Sequence, residues 1–130
     1  MFGWKKQPPI RTLVGEGTVV TGELRFADGL RIDGEVHGDV VATGERSLLV
    51  LSAQSLVRGS VRAGHVIVSG RVVGPIVCDE LLELQPGASV VGDVRYQLIE
   101  LHPGARIEGE LRPLKAEDKP ALRLASSNVG

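Results

Sequence analysis

The chain has 130 residues, 42% of them hydrophobic and 24% charged, which is one domain's worth of sequence that folds rather than staying disordered. It holds 18 Val, 16 Leu, 6 Ile and 17 Gly but only four aromatics, Phe2, Trp4, Phe26 and Tyr96, so a core built on large aromatic anchors is excluded. The net charge of −1 conceals an uneven distribution: residues 1–11 carry +3, residues 12–111 carry 8 basic and 14 acidic side chains, and residues 112–130 carry +2. An acidic body with basic ends is a poor nucleic-acid binder over its main surface, so no nucleic acid is expected as a partner. One Cys rules out a disulfide framework and a cysteine-only zinc site. No apolar run is long enough to span a bilayer, and no signal peptide follows the N-terminal lysines, so the expected compartment is the cytoplasm.

Residues 1–11 read as a flexible tail. Phe2 and Trp4 stand beside Lys5 and Lys6, and Pro8-Pro9 favours an extended backbone. Aromatic rings can enter a lipid interface while lysines meet anionic head groups, each lysine contributing about 1 kcal/mol near such a surface. One tail binds weakly; many tails on one polymer bind through avidity. The tail is therefore expected to be a membrane-targeting segment acting through Phe2, Trp4, Lys5 and Lys6. Myristoylation is excluded, because residue 2 is Phe.

Residues 12–112 are organised by a repeat. Gly22, Gly38, Gly59, Gly74, Gly92 and Gly109 are spaced by 16, 21, 15, 18 and 17 residues. Two residues before them stand Val20, Val36, Val57, Val72, Val90 and Ile107, all β-branched; two residues after them stand Leu24, Val40, Val61, Ile76, Val94 and Leu111, all aliphatic. A further strand precedes each glycine from Gly38 onward, with inward pairs Leu30/Ile32, Leu49/Leu51, Val66/Val68, Leu82/Leu84 and Ile99/Leu101. Residues 81–92 repeat at 98–109, and both copies turn at Pro-Gly, at Pro86-Gly87 and Pro103-Gly104, a dipeptide suited to a type II turn. Alternation with period two makes each segment a strand with one buried face. A repeat near 17 residues allows three short strands per winding. The expected fold is all-β: a single-domain β-helix, or β-solenoid, of about six windings, stacked about 4.8 Å apart into a rod of roughly 29 Å. The longer spacing before Gly59 predicts a bulge or loop at Thr43–Ser47.

Residues 113–130 hold Pro113 and Pro120 and no sustained apolar stripe, and read as a second flexible tail. Neither tail offers a convincing cap. An uncapped solenoid presents unpaired backbone groups over an apolar layer at each end, and a second copy would satisfy both. The expected polymerisation interface is Leu13, Val14, Val20 and Leu24 at one end and Ile99, Leu101, Ile107 and Leu111 at the other.

The start Met1–Lys6 and the repeats Val19-Val20-Thr21-Gly22-Glu23-Leu24, residues 30–40 and residues 103–111 resemble a bactofilin, a bacterial polymer-forming cytoskeletal protein. That resemblance implies a right-handed, roughly triangular β-helix. It implies self-assembly without nucleotide, through contacts between like ends, into non-polar filaments on the inner face of the cell membrane, where cell-wall or cell-shape proteins are positioned. The family's C-terminal winding often offers an aromatic to the end contact; the comparable position here is Ile107.

No residue is assigned catalysis, no cofactor or metal is expected, and the chain is read as a non-enzyme. The rival readings are a left-handed hexapeptide-type acyltransferase or carbonic-anhydrase-like trimer, and a monomeric solenoid adaptor. The glycine spacings break the strict multiples of six that the left-handed enzymes need. His37, His65 and His102 fall in different registers and read as corner or solvated residues. No P-loop pattern occurs. Cys78, in line with Phe26, Ala42, Ala63 and Tyr96, reads as an inert core residue. Ser126-Ser127 lacks a base, and Asp79-Glu80 reads as a solvated turn. Arg25, Arg62, Arg95 and Arg112 read as an outward charged ladder near Glu23, Asp93 and Glu110.

Overall fold

The structure, a computed structural model, describes residues 7–114. Thirteen strands follow one another, with no helix among the described residues: β1 (Ile10–Val14), β2 (Val19–Thr21), β3 (Leu24–Ile32), β4 (Glu35–His37), β5 (Val40–Leu51), β6 (Leu56–Arg58), β7 (Val61–Val68), β8 (Arg71–Val73), β9 (Ile76–Leu84), β10 (Ser89–Val91), β11 (Val94–Leu101), β12 (Arg106–Glu108) and β13 (Leu111–Pro113). All pairings are parallel. The odd-numbered strands form one sheet in the order β1-β3-β5-β7-β9-β11-β13, and the even-numbered strands form a second in chain order. Odd strands pair only with odd and even with even, so the chain advances by one layer per turn: a β-solenoid of about six windings, as the repeat predicts.

Each winding has three sides. Side 1 holds β1 and the later halves of the long strands; side 2 is the six-stranded sheet of short strands; side 3 holds the first halves of the long strands and β13. The long strands turn from side 3 to side 1 at a register shift, as between Phe26 and Asp28 or Tyr96 and Leu98. Asp28 takes a positive φ of 64° there and is held by Arg11 at 2.7 Å. In β5 the same corner carries the extra residues between Val41 and Leu48 as a register shift within one strand, where the long glycine spacing predicts a bulge or loop. Ser47, buried, fills this corner and accepts the Gly64 N–H at 2.8 Å.

The core consists of stacked columns, one from each inward position. On side 1, Leu30, Leu49, Val66 and Leu82 lie in register, as do Ile32, Leu51, Val68 and Leu84. On side 2, Val36, Val57, Val72 and Val90 stack; on side 3, Val40, Val61, Ile76 and Val94 stack. All of these are at most 1% exposed. Aliphatic side chains 4.8 Å apart fill such a column without the bulk of a ring, which is why the sequence spends its apolar content on Val and Leu.

The glycine column is steric in origin. A Cβ on Gly59 would lie 2.5 Å from the carbonyl carbon of Gly38 and closer still to its oxygen. Gly38, Gly59, Gly74, Gly92 and Gly109 thus each let the preceding winding approach to strand spacing. Just past the glycines, Asp39 accepts the Ser60 N–H at 2.9 Å and Asp93 accepts the Glu110 N–H at 3.0 Å. Asp93 is therefore spent on backbone, not on Arg95. Arg25 pairs with Glu23, Arg62 with Asp79 and Arg112 with Glu110, so the expected ladder is a set of separate pairs.

Candidate functional site

The two ends of the rod are where the column pattern is interrupted. At the N-terminal end, β1 pairs only with β3, β2 only with β4, and Leu24–Phe26 only with β5. At the C-terminal end, β12 pairs only with β10, β13 only with the first half of β11, and Leu98–Leu101 only with β9. Among the described residues nothing covers either layer. In a parallel ladder alternate residues point their N–H and C=O to opposite neighbours, so half of the backbone groups in each end strand face outward.

Burial along each column shows what is missing. Leu101 continues the column Ile32, Leu51, Val68 and Leu84, each 0% exposed, yet is itself 52% exposed. Leu111 continues the column that includes Val94, at 0%, and is 41% exposed. Ile99 and Ile107 pack on the core but are only half-buried, as are Val20 and Leu24 at the other end. Val14 is buried. Seven of the eight residues read as an interface are thus column members lying in an end winding. Leu13 differs: it shares a register with Arg31, Val50, Ile67 and Glu83, the outward row of side 1, and is exposed on the flank.

Two further end residues escape the glycine-based reading. Ile10 and Leu98 begin and end a row through Gly29, Leu48, His65 and Leu81, in which Leu48 and His65 are under a tenth exposed and Leu81 is half-buried, but are themselves 44% and 62% exposed. The signal was present in the offset of 17, which aligns Leu98 with Leu81. The inward pairs begin one residue later, at Leu82 and Ile99, and so leave Leu98 out.

Pro113 is the last residue of β13. Val94 donates to the Glu110 carbonyl and Leu114 donates to the Tyr96 carbonyl at 2.7 Å, so residues 110, 112 and 114 face back into the rod. By alternation Pro113 faces outward, where it has no N–H to offer. At this edge side 3 presents a donor at Leu111 but none at Pro113.

The remaining chemistry-bearing side chains are dispersed. His65 meets Glu83 at 2.6 Å, His37 meets Glu35 at 3.0 Å and His102 meets Glu100 at 3.4 Å, three separate pairs that do not converge. Cys78 is buried, its Sγ donates to the Gly64 carbonyl at 3.0 Å, and desolvation pushes its pKa up to about 12. Among the described residues no group of three His, Cys, Asp or Glu could hold a metal ion, and no helix is long and apolar enough to cross a membrane. Phe2, Trp4, Lys5 and Lys6 lie outside the described residues.

Fold and ends together define a repeat protein, a β-solenoid whose winding is left open at both described termini. The chain belongs to the bactofilin family of polymer-forming cytoskeletal proteins, whose family model matches residues 12–112. It is similar to bactofilin BacO of Myxococcus xanthus (strain DK1622), with 30% identity over 84 residues, 65% of this chain and 64% of the relative. It is also similar to bactofilin BacP of the same organism, with 36% identity over 84 residues, 65% of this chain and 34% of the relative. The match thus spans just under two thirds of BacO and about a third of BacP. No solved structure matches the chain.

Proposed function

We propose that the chain assembles end to end, without nucleotide, into non-polar filaments on the cytoplasmic face of the inner membrane, where they position cell-shape or cell-wall proteins. The observation that carries this reading is the break in burial along each column. Columns that are at most 1% exposed in the middle windings end in Leu101 and Leu111, about half exposed, and the row through Leu48, His65 and the half-buried Leu81 ends in the more exposed Ile10 and Leu98. Fully burying an exposed side chain of this size contributes about 1.5–3 kcal/mol, so covering one already half-buried contributes about half of that, and several per end together reach the lower part of an association cost of about 4–15 kcal/mol. Unpaired strand edges add direction, because each is a template on which another strand can pair. No residue is assigned a catalytic role.

Membrane attachment rests on the chemistry of Phe2, Trp4, Lys5 and Lys6. A filament repeats that tail once per subunit, so weak single contacts sum along its length.

The test is negative-stain electron microscopy of the purified chain in buffer without nucleotide or metal. Unbranched filaments are expected, and Leu101→Arg should leave folded single rods. Discrete particles at every concentration and salt would overturn the reading. Deleting residues 1–6 should release the filaments from anionic vesicles without dissolving them; equal sedimentation with and without the tail would remove the membrane claim.

A further inference from the structure

The outer surfaces of the three sides differ in how their arginines are used. Arg11, Arg25, Arg31, Arg62 and Arg112 each hold a carboxylate, and Arg46 is also engaged. The guanidinium groups of Arg58, Arg71, Arg95 and Arg106 make no hydrogen bond or ion pair among the described residues, and three of these four lie on side 2. All three are exposed.

The register places them together. Arg71 and Arg106 flank Ser89 in one outward row, and Arg58 stands in the next outward row, in register with Val73. They belong to the third, fourth and sixth windings, which puts three free guanidinium groups within about 15 Å along the rod. Val73 and Val91 are half-buried between them. Of the acids in these rows, Glu35 is tied to His37, leaving Glu108 at the C-terminal edge. Side 2 holds three of the eight basic residues of segment 12–111 and only two of its fourteen acidic ones. It is therefore the basic face of an otherwise acidic rod.

The N-terminal segment leaves from the opposite edge. Gln7, Pro8 and Pro9 share a shallow cleft with Asp28 and Arg46, at the corner between side 3 and side 1. The Pro9 carbonyl sits over Gly29 of the second winding, where a Cβ would collide with it. In a three-sided rod this corner is opposite side 2.

We infer that side 2 is a docking face for an extended acidic segment of another protein, held by Arg58, Arg71 and Arg106 with aliphatic contacts to Val73 and Val91. Arginine suits the task, since its planar fork takes a carboxylate in two parallel hydrogen bonds. That this face points away from the lipid rests on the proposed role of the tail; its charge does not. A nucleic acid is disfavoured by the acidic remainder of the rod.

The test uses the full-length chain and a short fluorescent peptide rich in glutamate and alanine, read by anisotropy. Binding is expected and should weaken as salt rises. Replacing Arg58, Arg71 and Arg106 together by Gln should weaken it by about tenfold, each exposed charge contact being worth a few-fold. Replacing Arg25, Arg62 and Arg112 by Gln removes the same formal charge and should change binding by less than about twofold. Circular dichroism checks that both variants remain folded. Absence of peptide binding, or equal loss in both variants, would overturn the inference. A second arm sediments the tail-deleted chain with phosphatidylglycerol vesicles. Sedimentation that depends on Arg58, Arg71 and Arg106 would make side 2 a lipid surface and also overturn it. Peptide binding that survives while tail deletion leaves vesicle binding unchanged would instead sink the membrane reading alone.

Discussion

A pair of glycine substitutions separates the two reasons for which this fold uses glycine. Gly87 turns the Pro-Gly corner with φ of 92°, and a Cβ there meets nothing within 4 Å. Gly87→Ala therefore costs only the conformational term of a left-handed residue, about 1–2 kcal/mol. Gly59 has φ of 154° and faces the Gly38 carbonyl of the winding before it. A methyl group there needs roughly 1 Å more space than strand stacking at 4.8 Å leaves. Opening that space strains the ladder on both sides of the corner, where Gly38 donates to the Arg58 carbonyl at 2.9 Å and Val40 to the Ser60 carbonyl at 2.9 Å. Weakening these two bonds, at about 0.5–1.5 kcal/mol each, together with about 1–3 kcal/mol of backbone strain, gives about 2–6 kcal/mol for Gly59→Ala. The assay is denaturant unfolding followed by circular dichroism, at protein concentrations low enough that association does not add to stability. Equal costs for the two variants would refute the steric account of the glycine column. So would a large cost at Gly87.

Three further outcomes are expected. Leu101→Arg should leave the unfolding midpoint of single rods within about 1 kcal/mol of wild type, since the side chain is already half exposed, while light scattering shows assembly abolished; persistent scattering would exclude this end surface. Cys78 should resist maleimide in the native chain and react on unfolding. Because burial raises its pKa from 9.0 to about 12, unfolding frees the thiol to ionise in that window, so stability should fall more steeply with pH there than in Cys78→Ala; identical pH profiles would contradict the buried thiol. Asp33 has its pKa lowered, chiefly by the hydrogen bond from Arg31 and then by one from Ser52, so its contribution is complete at neutral pH and is lost as pH falls through the folded value. Asp33→Asn should accordingly destabilise the chain at pH 7 but not at pH about 2, and a penalty that persisted in acid would mean packing rather than charge.

The repeat was legible because a solenoid writes its third dimension into a period. Once the six glycines are aligned, every inward column follows, and Val36 through Val90 or Val40 through Val94 need no structure to be found. Where a residue depends on more than the period, the sequence read less. Leu13 was grouped with Val14 because both are aliphatic, yet neighbours in a strand face opposite ways, and only Val14 enters the core. Asp93 looked like a partner for Arg95 along the sequence, but it caps a backbone N–H in the next winding.

The sequence by itself determined the stacking order, the aliphatic character of each column and the places where windings must touch, because these follow from spacing and from where a Cβ has no room. Only the tertiary structure decided which arginines have partners, which face is basic, where the N-terminal segment leaves the rod and which end residues lose their cover. Those properties depend on contacts between windings some 17 residues apart and on the side of the rod a residue faces, and no local pattern records either.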